Sequence, residues 1–323
     1  MDNDAPLTRR ARREAERAKT RAQQEHAAAD AEEARQDDAA AGDEPEQKSR
    51  SGRNLPAAIG VAAVLIALVG AGLFVPLGKN GEPWGFVGFI ALACTLALWE
   101  FSTAVKSREI QIAVAPLLVG GVGIVISAYT AGVEAFFVAF VLTAGAAFIW
   151  RLLDGGGPQA LRDASVSILA AVYIPFLAGF VALMLALDNG PWRVAVFIAL
   201  AVANDTGGYI AGVLFGKHPM APTVSPKKSW EGFAGSVLLT LAVALPATYY
   251  LLEGTLLMGA LLALLATFAA TAGDLMESLL KRDLGVKDMS SLLPGHGGIL
   301  DRVDSILVAA PVIFTAMWLT AFH

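Results

Sequence analysis

Residues 110–153 read IQIAVAPLLVGGVGIVISAYTAGVEAFFVAFVLTAGAAFIWRLL, and this stretch decides the class of fold. About 20 apolar residues carry a helix across the hydrocarbon core of a bilayer. The run is therefore long enough for two passes joined by a very short turn. Working outward, further apolar stretches lie near 55–77, 84–105, 164–187, 192–216, 232–252, 256–280 and 299–322, which makes nine predicted spans. The composition agrees. Of 323 residues, 55% are hydrophobic and only 16% charged, with a mean hydropathy of +0.57, whereas soluble domains are about 25% charged. The first 53 residues hold 11 of the 24 Lys and Arg and 13 of the 29 Asp and Glu, leaving 29 charges over the other 270 positions. So few charges cannot cover a water-facing surface. The expected fold is an all-α, polytopic membrane protein. The one cysteine, Cys94, lies inside an apolar run, so neither a disulfide framework nor a metal–thiolate cluster is expected.

Residues 1–53 form a separate segment, ahead of a transmembrane domain over 54–323. They are dominated by Ala, Arg, Glu, Asp and Gln, with no Phe, Trp or Tyr. Such a composition buries too little apolar surface to offset the entropy of ordering, so a disordered tail is expected. Its basic part (Arg9 to Arg21) precedes an acidic part (Glu32 to Glu46). The plain reading is a solvated tail that helps fix topology, and attraction of the basic block to anionic headgroups is the alternative. A cleavable signal peptide is not expected, because the charged stretch before the first apolar segment is too long.

Sorting Lys and Arg by loop parity places 22 on the side of the N-terminus and only Lys79 and Arg193 opposite. By the positive-inside rule the N-terminus is cytoplasmic and, with an odd number of spans, the C-terminus is outside. The expected location is the cell membrane. No internal repeat of the kind found in inverted-repeat transporters is evident.

Outside the tail, polar groups of functional character fall in three places. Asn204-Asp205-Thr206 lies within the sixth span, with Asp205 some eleven residues from its cytoplasmic end, roughly 16 Å deep at the rise of a helix. An ionisable group at that depth is costly and points to function. The cytoplasmic loop Ser225-Pro226-Lys227-Lys228-Ser229-Trp230-Glu231-Gly232 reads as a turn set by Pro226, with adjacent lysines and two hydroxyls suited to a phosphate. The third region runs from 273 to 305. Asp274, Glu277, Ser278 and Lys281 share one face of the eighth helix, and Asp301, Asp304 and Ser305 share a face of the ninth. Carboxylates at a helix N-terminus are electrostatically favoured, which gives Asp301 and Asp304 a structural reading as well; Asp274 and Glu277 lie at the unfavourable end of their helix. Two carboxylate pairs could hold a hard cation across the connecting loop. That loop, Pro294-Gly295-His296-Gly297-Gly298, is glycine-rich enough for its N–H groups to approach a phosphate. The role of His296, phosphate contact, proton transfer or a turn, stays open. Lys281, Arg282, Lys287 and Arg302 add four cations. Together these point to phosphoryl or nucleotidyl transfer on a lipid, chemistry that runs on positioning and charge neutralisation.

The run Ser278-x2-Lys281-Arg282-x4-Lys287-Asp288-x-Ser290-x2-Leu293-Pro294-x-His296-Gly297-Gly298-x2-Asp301-Arg302-x-Asp304 resembles, without departure, the signature of the phosphatidate cytidylyltransferases, the CDP-diacylglycerol synthases. The Asn-Asp-Thr and Ser-Pro-Lys-Lys-Ser-Trp-Glu-Gly segments resemble that family's other polar motifs, in the same order. The resemblance is specific over about 200–305 and general over 55–322. It implies a Mg²⁺-dependent transfer of CMP from CTP to phosphatidic acid, releasing pyrophosphate. It also implies Asp274 and Asp301 as the chief metal ligands, with Glu277 and Asp304 beside them and room for a second cation. Lys281, Arg282, Lys287, His296 and Arg302 would join them in catalysis. Substrate contacts would fall to Asn204, Asp205, Ser225, Lys227, Lys228, Ser229, Gly297 and Gly298. The partners implied are CTP, phosphatidic acid and membrane lipids, with no nucleic acid; a homodimer is compatible. The rival readings are another Mg²⁺-dependent lipid-phosphate transferase and an ion-coupled transporter using Asp205 and Asp274.

Overall fold

A computed structural model describes residues 55–78, 81–154, 157–286, 288–290, 292 and 297–321. Contacts divide the chain into two units, Met1–Leu55 and Pro56–His323. The tail expected to be disordered lies outside the described residues, as do Lys287 and His296.

The chain is a succession of helices: α1 (Leu55–Phe74), α2 (Trp84–Val105), α3 (Val114–Leu153), α4 (Gly157–Ala171), α5 (Leu177–Leu185), α6 (Gly190–Phe215), α7 (Trp230–Leu251), α8 (Leu256–Leu284) and α9 (Leu300–Ala321). Within a bilayer no water pairs with the backbone, so a spanning segment must satisfy its own N–H and C=O groups. Large apolar side chains such as Val119, Leu142, Leu153, Val213, Leu238 and Leu257 face outward, as a lipid-contacting surface requires. Among the described residues seven helices are long and apolar enough to cross a membrane. Two features reconcile that number with about nine. At Gly132 (φ 78°, ψ −165°) the backbone of α3 leaves the helical region. A Cβ at Gly120 would stand 2.3 Å from the side chain of Thr143, so the two arms double back on each other as the pair of passes expected at 110–153. The other is α1, a 20-residue helix of which Ala63–Phe74 counts as a shorter apolar helix.

Helices α4 and α5 are one continuous span interrupted by a π-helical turn, Val172–Phe176, that contains Pro175. Proline lacks the N–H and crowds the preceding turn, and a wider turn absorbs both defects. The rings of Phe136, Phe140, Phe176 and Phe180 gather around it.

The one departure from all-helical structure among the described residues is a hairpin of β1 (Pro219–Ala221) and β2 (Ser225–Ser229). It corrects the expected turn at Pro226. That residue sits within β2, and the reversal falls between the two strands. A two-stranded hairpin has only edges, where a missing N–H is tolerated.

Arg151 and Asp163 in the first half of the bundle form a buried ion pair. The Asp163 side chain, 2% exposed, pairs with Arg151 Nη2 at 2.8 Å and accepts from the Gln111 N–H at 3.2 Å. It thereby ties α3, α4 and the segment leading into α3 together. Removing one partner of a buried pair strands the other charge. Asp163→Ala is therefore expected to destabilise the protein by about 3–5 kcal/mol, and Arg151→Met with Asp163→Leu to recover most of the loss. Thermal unfolding in detergent reads both, and an unshifted Asp163→Ala variant would refute the assignment.

Candidate active site

Glycine determines how closely the helices around the site approach. A Cβ on Gly207 would lie 2.5 Å from the Gly235 carbonyl oxygen, so α6 and α7 cross in backbone contact. Ser236 of α7 donates to the Asn204 carbonyl at 2.6 Å. Likewise a Cβ on Gly273 would stand 2.9 Å from the Asp304 carbonyl, drawing α8 onto α9 beside the carboxylates. Residue Ser229 ends β2 and caps α7 by accepting from the Gly232 N–H at 3.1 Å, which sets the lysine pair at the rim. The result is a cavity of about 430 Å³ that Asn204, Asp205, Lys227, Lys228, Ser229, Asp274, Asp301, Arg302 and Asp304 all line. Three motifs spread over a hundred residues of chain thus meet in one place.

The carboxylates are not equivalent. Asp274 pairs with Lys228 across the cavity and stays half-exposed. Asp301 is far more heavily engaged. Its Oδ1 accepts from Lys281 Nζ at 3.0 Å. Its Oδ2 accepts from the N–H groups of Gly298 at 2.8 Å and Met289 at 3.0 Å. Reaching back three residues to Gly298, it closes the first turn of α9 in the manner of a capping box. Asp304 opens on the cavity although largely buried. Glu277, 1% exposed, does not line the cavity; it lies behind it, paired with Lys281, and its Oε1 has no hydrogen-bond partner. In α6 the Asn204 amide donates to Asp205 Oδ1 at 3.1 Å, while its own Oδ1 is buried without a partner. Among the described residues no three carboxylate, imidazole or thiol groups converge as a ready-made metal cage.

Other expected site residues fall outside this lining. Ser225 lies at the start of β2 and Arg282 is exposed on the last turn of α8. Lys281 acts as a bridge between Glu277 and Asp301. Gly297 takes a left-handed φ of 79°, and a Cβ there would lie 3.1 Å from Asp301 Oδ2. A Cβ on Gly298 would lie 2.8 Å from Glu100 Oε2. The glycine pair therefore admits two carboxylates to one turn of backbone.

The second of these, Glu100, is the residue that sequence reasoning overlooked. It sits on α2 and is 5% exposed. Its carboxylate accepts from Ser290 Oγ at 2.6 Å and from the N–H groups of Ile299 and Leu300, both at 2.9 Å. Anionic oxygens at a helix N-terminus satisfy otherwise unpaired donors and oppose the helix dipole favourably. The only signal in the sequence was an intramembrane acid. Its partners lie 190 to 200 residues away.

Residues 57–320 match the model of the cytidylyltransferase family. The phosphatidate cytidylyltransferase of Mycobacterium bovis is 39% identical over 287 residues, covering 84% of this chain and 92% of that protein. The one from Mycobacterium leprae is 40% identical over 290 residues, covering 84% and 89%. That of Haemophilus influenzae is 42% identical over 149 residues, covering 43% and 51%. With a match that spans nearly the whole helical region and includes every element lining the cavity, the chain belongs to the cytidylyltransferase family.

Proposed function

We propose that the protein is a phosphatidate cytidylyltransferase, transferring CMP from CTP to phosphatidic acid to give CDP-diacylglycerol and pyrophosphate. The observation that carries this reading is the single cavity where Lys227, Lys228 and Arg302 face Asp205, Asp274, Asp301 and Asp304. A phosphatidate phosphate oxygen attacks the α-phosphorus of CTP, the bond from that phosphorus to the bridging oxygen breaks, and pyrophosphate leaves with the electron pair. Both reactants are anions, so their approach requires charge neutralisation and alignment. Lys227, Lys228 and Arg302 supply positive charge in the cavity lining. Ser229 offers a hydroxyl at the same rim. Lys281 holds Asp301 in place from behind. No covalent enzyme intermediate is required.

The residues suit a magnesium ion. Mg²⁺ takes one or two carboxylates and completes its shell with water and substrate phosphates, so it needs no cage of protein ligands. Asp274 and Asp301 would hold it, with Asp304 adjacent, and when bound it would screen the phosphates and the departing pyrophosphate. Lys228 now occupies Asp274 and would be free to turn to a phosphate once a cation takes its place. The excess of Lys and Arg on the N-terminal side supports a site at the cytoplasmic face, where CTP is available.

The test is liponucleotide formation by the purified protein in mixed micelles with phosphatidate and each of CTP, ATP, GTP and UTP, with Mg²⁺ or excess EDTA. Product from CTP alone, lost with EDTA and restored by Mg²⁺, is expected. No liponucleotide from any nucleotide would sink the reading, and full activity in EDTA would remove the metal from it.

A further inference from the structure

Behind the polar cavity, on the other side of α9, lies a second cavity of about 320 Å³. Every residue lining it is apolar except one, Arg302, and Arg302 lines the polar cavity as well. The two faces of α9 explain the arrangement. Asp301, Asp304 and Ser305 look into the polar site, while Ile299, Val303, Ile306 and Leu307 form a wall of the apolar one. The opposite wall comes from α2, from Phe86 to Ala97, one turn short of Glu100. Eleven residues of helix rise about 16 Å, and half of a bilayer's hydrocarbon core is roughly 15 Å. The apolar cavity therefore has one cationic end and an apolar wall about as long as an acyl chain's reach into one leaflet.

We infer that this cavity is the acyl-chain subsite for the lipid substrate. The phosphate of phosphatidate sits at Arg302, and one of its chains runs down between α2 and α9. The inference rests on the phosphatidate reading above. It goes beyond it by naming which surface grips the tail and which residue joins tail to headgroup. Arg302, which borders both cavities, distinguishes substrate from a bystander lipid. A bystander requires no cation shared with the polar site, whereas a reacting lipid must have its phosphate at the polar site and its chain in the apolar one.

Ala93 lines this cavity and is only half-buried, so a larger side chain there intrudes on the cavity without being forced into the packed core. With the full-length Ala93→Phe protein, KM for dioleoyl-phosphatidate is expected to rise about tenfold or more. KM for CTP should stay as in the wild type, and dihexanoyl-phosphatidate, whose shorter chains fill less of the cavity, should be affected less. Equal effects on long and short lipids, or none on either, would overturn the assignment. A second measurement avoids dependence on the variant's folding. Phosphatidate carrying a terminal diazirine on one acyl chain is photolysed with the wild-type protein, and its adducts are mapped by mass spectrometry. Adducts on the 86–97 segment of α2 or the 303–307 segment of α9, competed by unlabelled phosphatidate but not by phosphatidylcholine, support the subsite. Labelling confined to lipid-facing residues, or competed equally by both lipids, reveals a bystander and refutes it. A wild type that makes no liponucleotide yet shows the competed adducts would instead refute the reaction and leave the lipid site standing.

Discussion

Asp274→Asn is expected to lower CDP-diacylglycerol formation by roughly 10²–10³-fold, the scale seen when one group that stabilises developing charge is removed. The substitution preserves shape and removes only the charge. Asp274 is half-exposed and pairs with Lys228 across the cavity. Its loss should leave thermal unfolding unchanged, and it should raise the Mg²⁺ concentration needed for half-maximal rate. Asp301→Asn makes the informative contrast. Asp301 also receives Lys281 and the N–H groups of Gly298 and Met289. An amide in its place turns one acceptor into a donor facing a donor, so activity and stability should fall together. Rates for CTP with saturating phosphatidate, set beside melting curves in the same detergent, separate the two cases. Wild-type turnover in the Asp274→Asn protein would move the cation elsewhere, with Asp304 the next candidate.

Glu100→Ala should reduce kcat by about 10²-fold, although Glu100 does not line the cavity. It is a positioning residue. It holds Ser290 on one side and the first N–H groups of α9 on the other, and Asp301 and Arg302 follow directly on that helix. Truncation leaves one buried and two half-buried donors without that acceptor, at a cost of up to about 1–3 kcal/mol for each unmatched group. A displacement near 1 Å of groups that must align two phosphates is enough to produce such a rate loss. The effect should fall on kcat more than on KM for CTP, because Lys227 and Lys228 ride on β2 and remain in place. Glu100→Gln keeps one carbonyl oxygen and should recover part of the rate. Equal rates for Glu100→Ala and wild type would show that the loop holds itself without α2.

Much of this protein is a local property of its sequence. Runs of apolar residues specify helices because a bilayer forbids unpaired backbone, and that logic needs no knowledge of neighbours. The paired passes of 110–153 were legible for the same reason, with Gly132 supplying the reversal. The spacing of Asp274, Asp301 and Asp304 was equally legible, since residues three and four apart share a helix face. Other features were decided only by packing. Pro226 reads as a turn former, yet it lies in β2, because pairing with Pro219–Ala221 and the cap at Ser229 hold that segment extended. Glu277 has the same spacing credentials as Asp274, but the close crossing of α8 and α9 at Gly273 leaves it buried behind the cavity, paired with Lys281. Glu100 gives no hint of its task, since the donors it receives belong to a loop and a helix nearly two hundred residues away. Helix periodicity and solvent preference act over a few residues and can be read along the chain. Which carboxylate meets which N–H depends on how closely two helices approach, and that distance is determined by glycines and side chains on both partners at once.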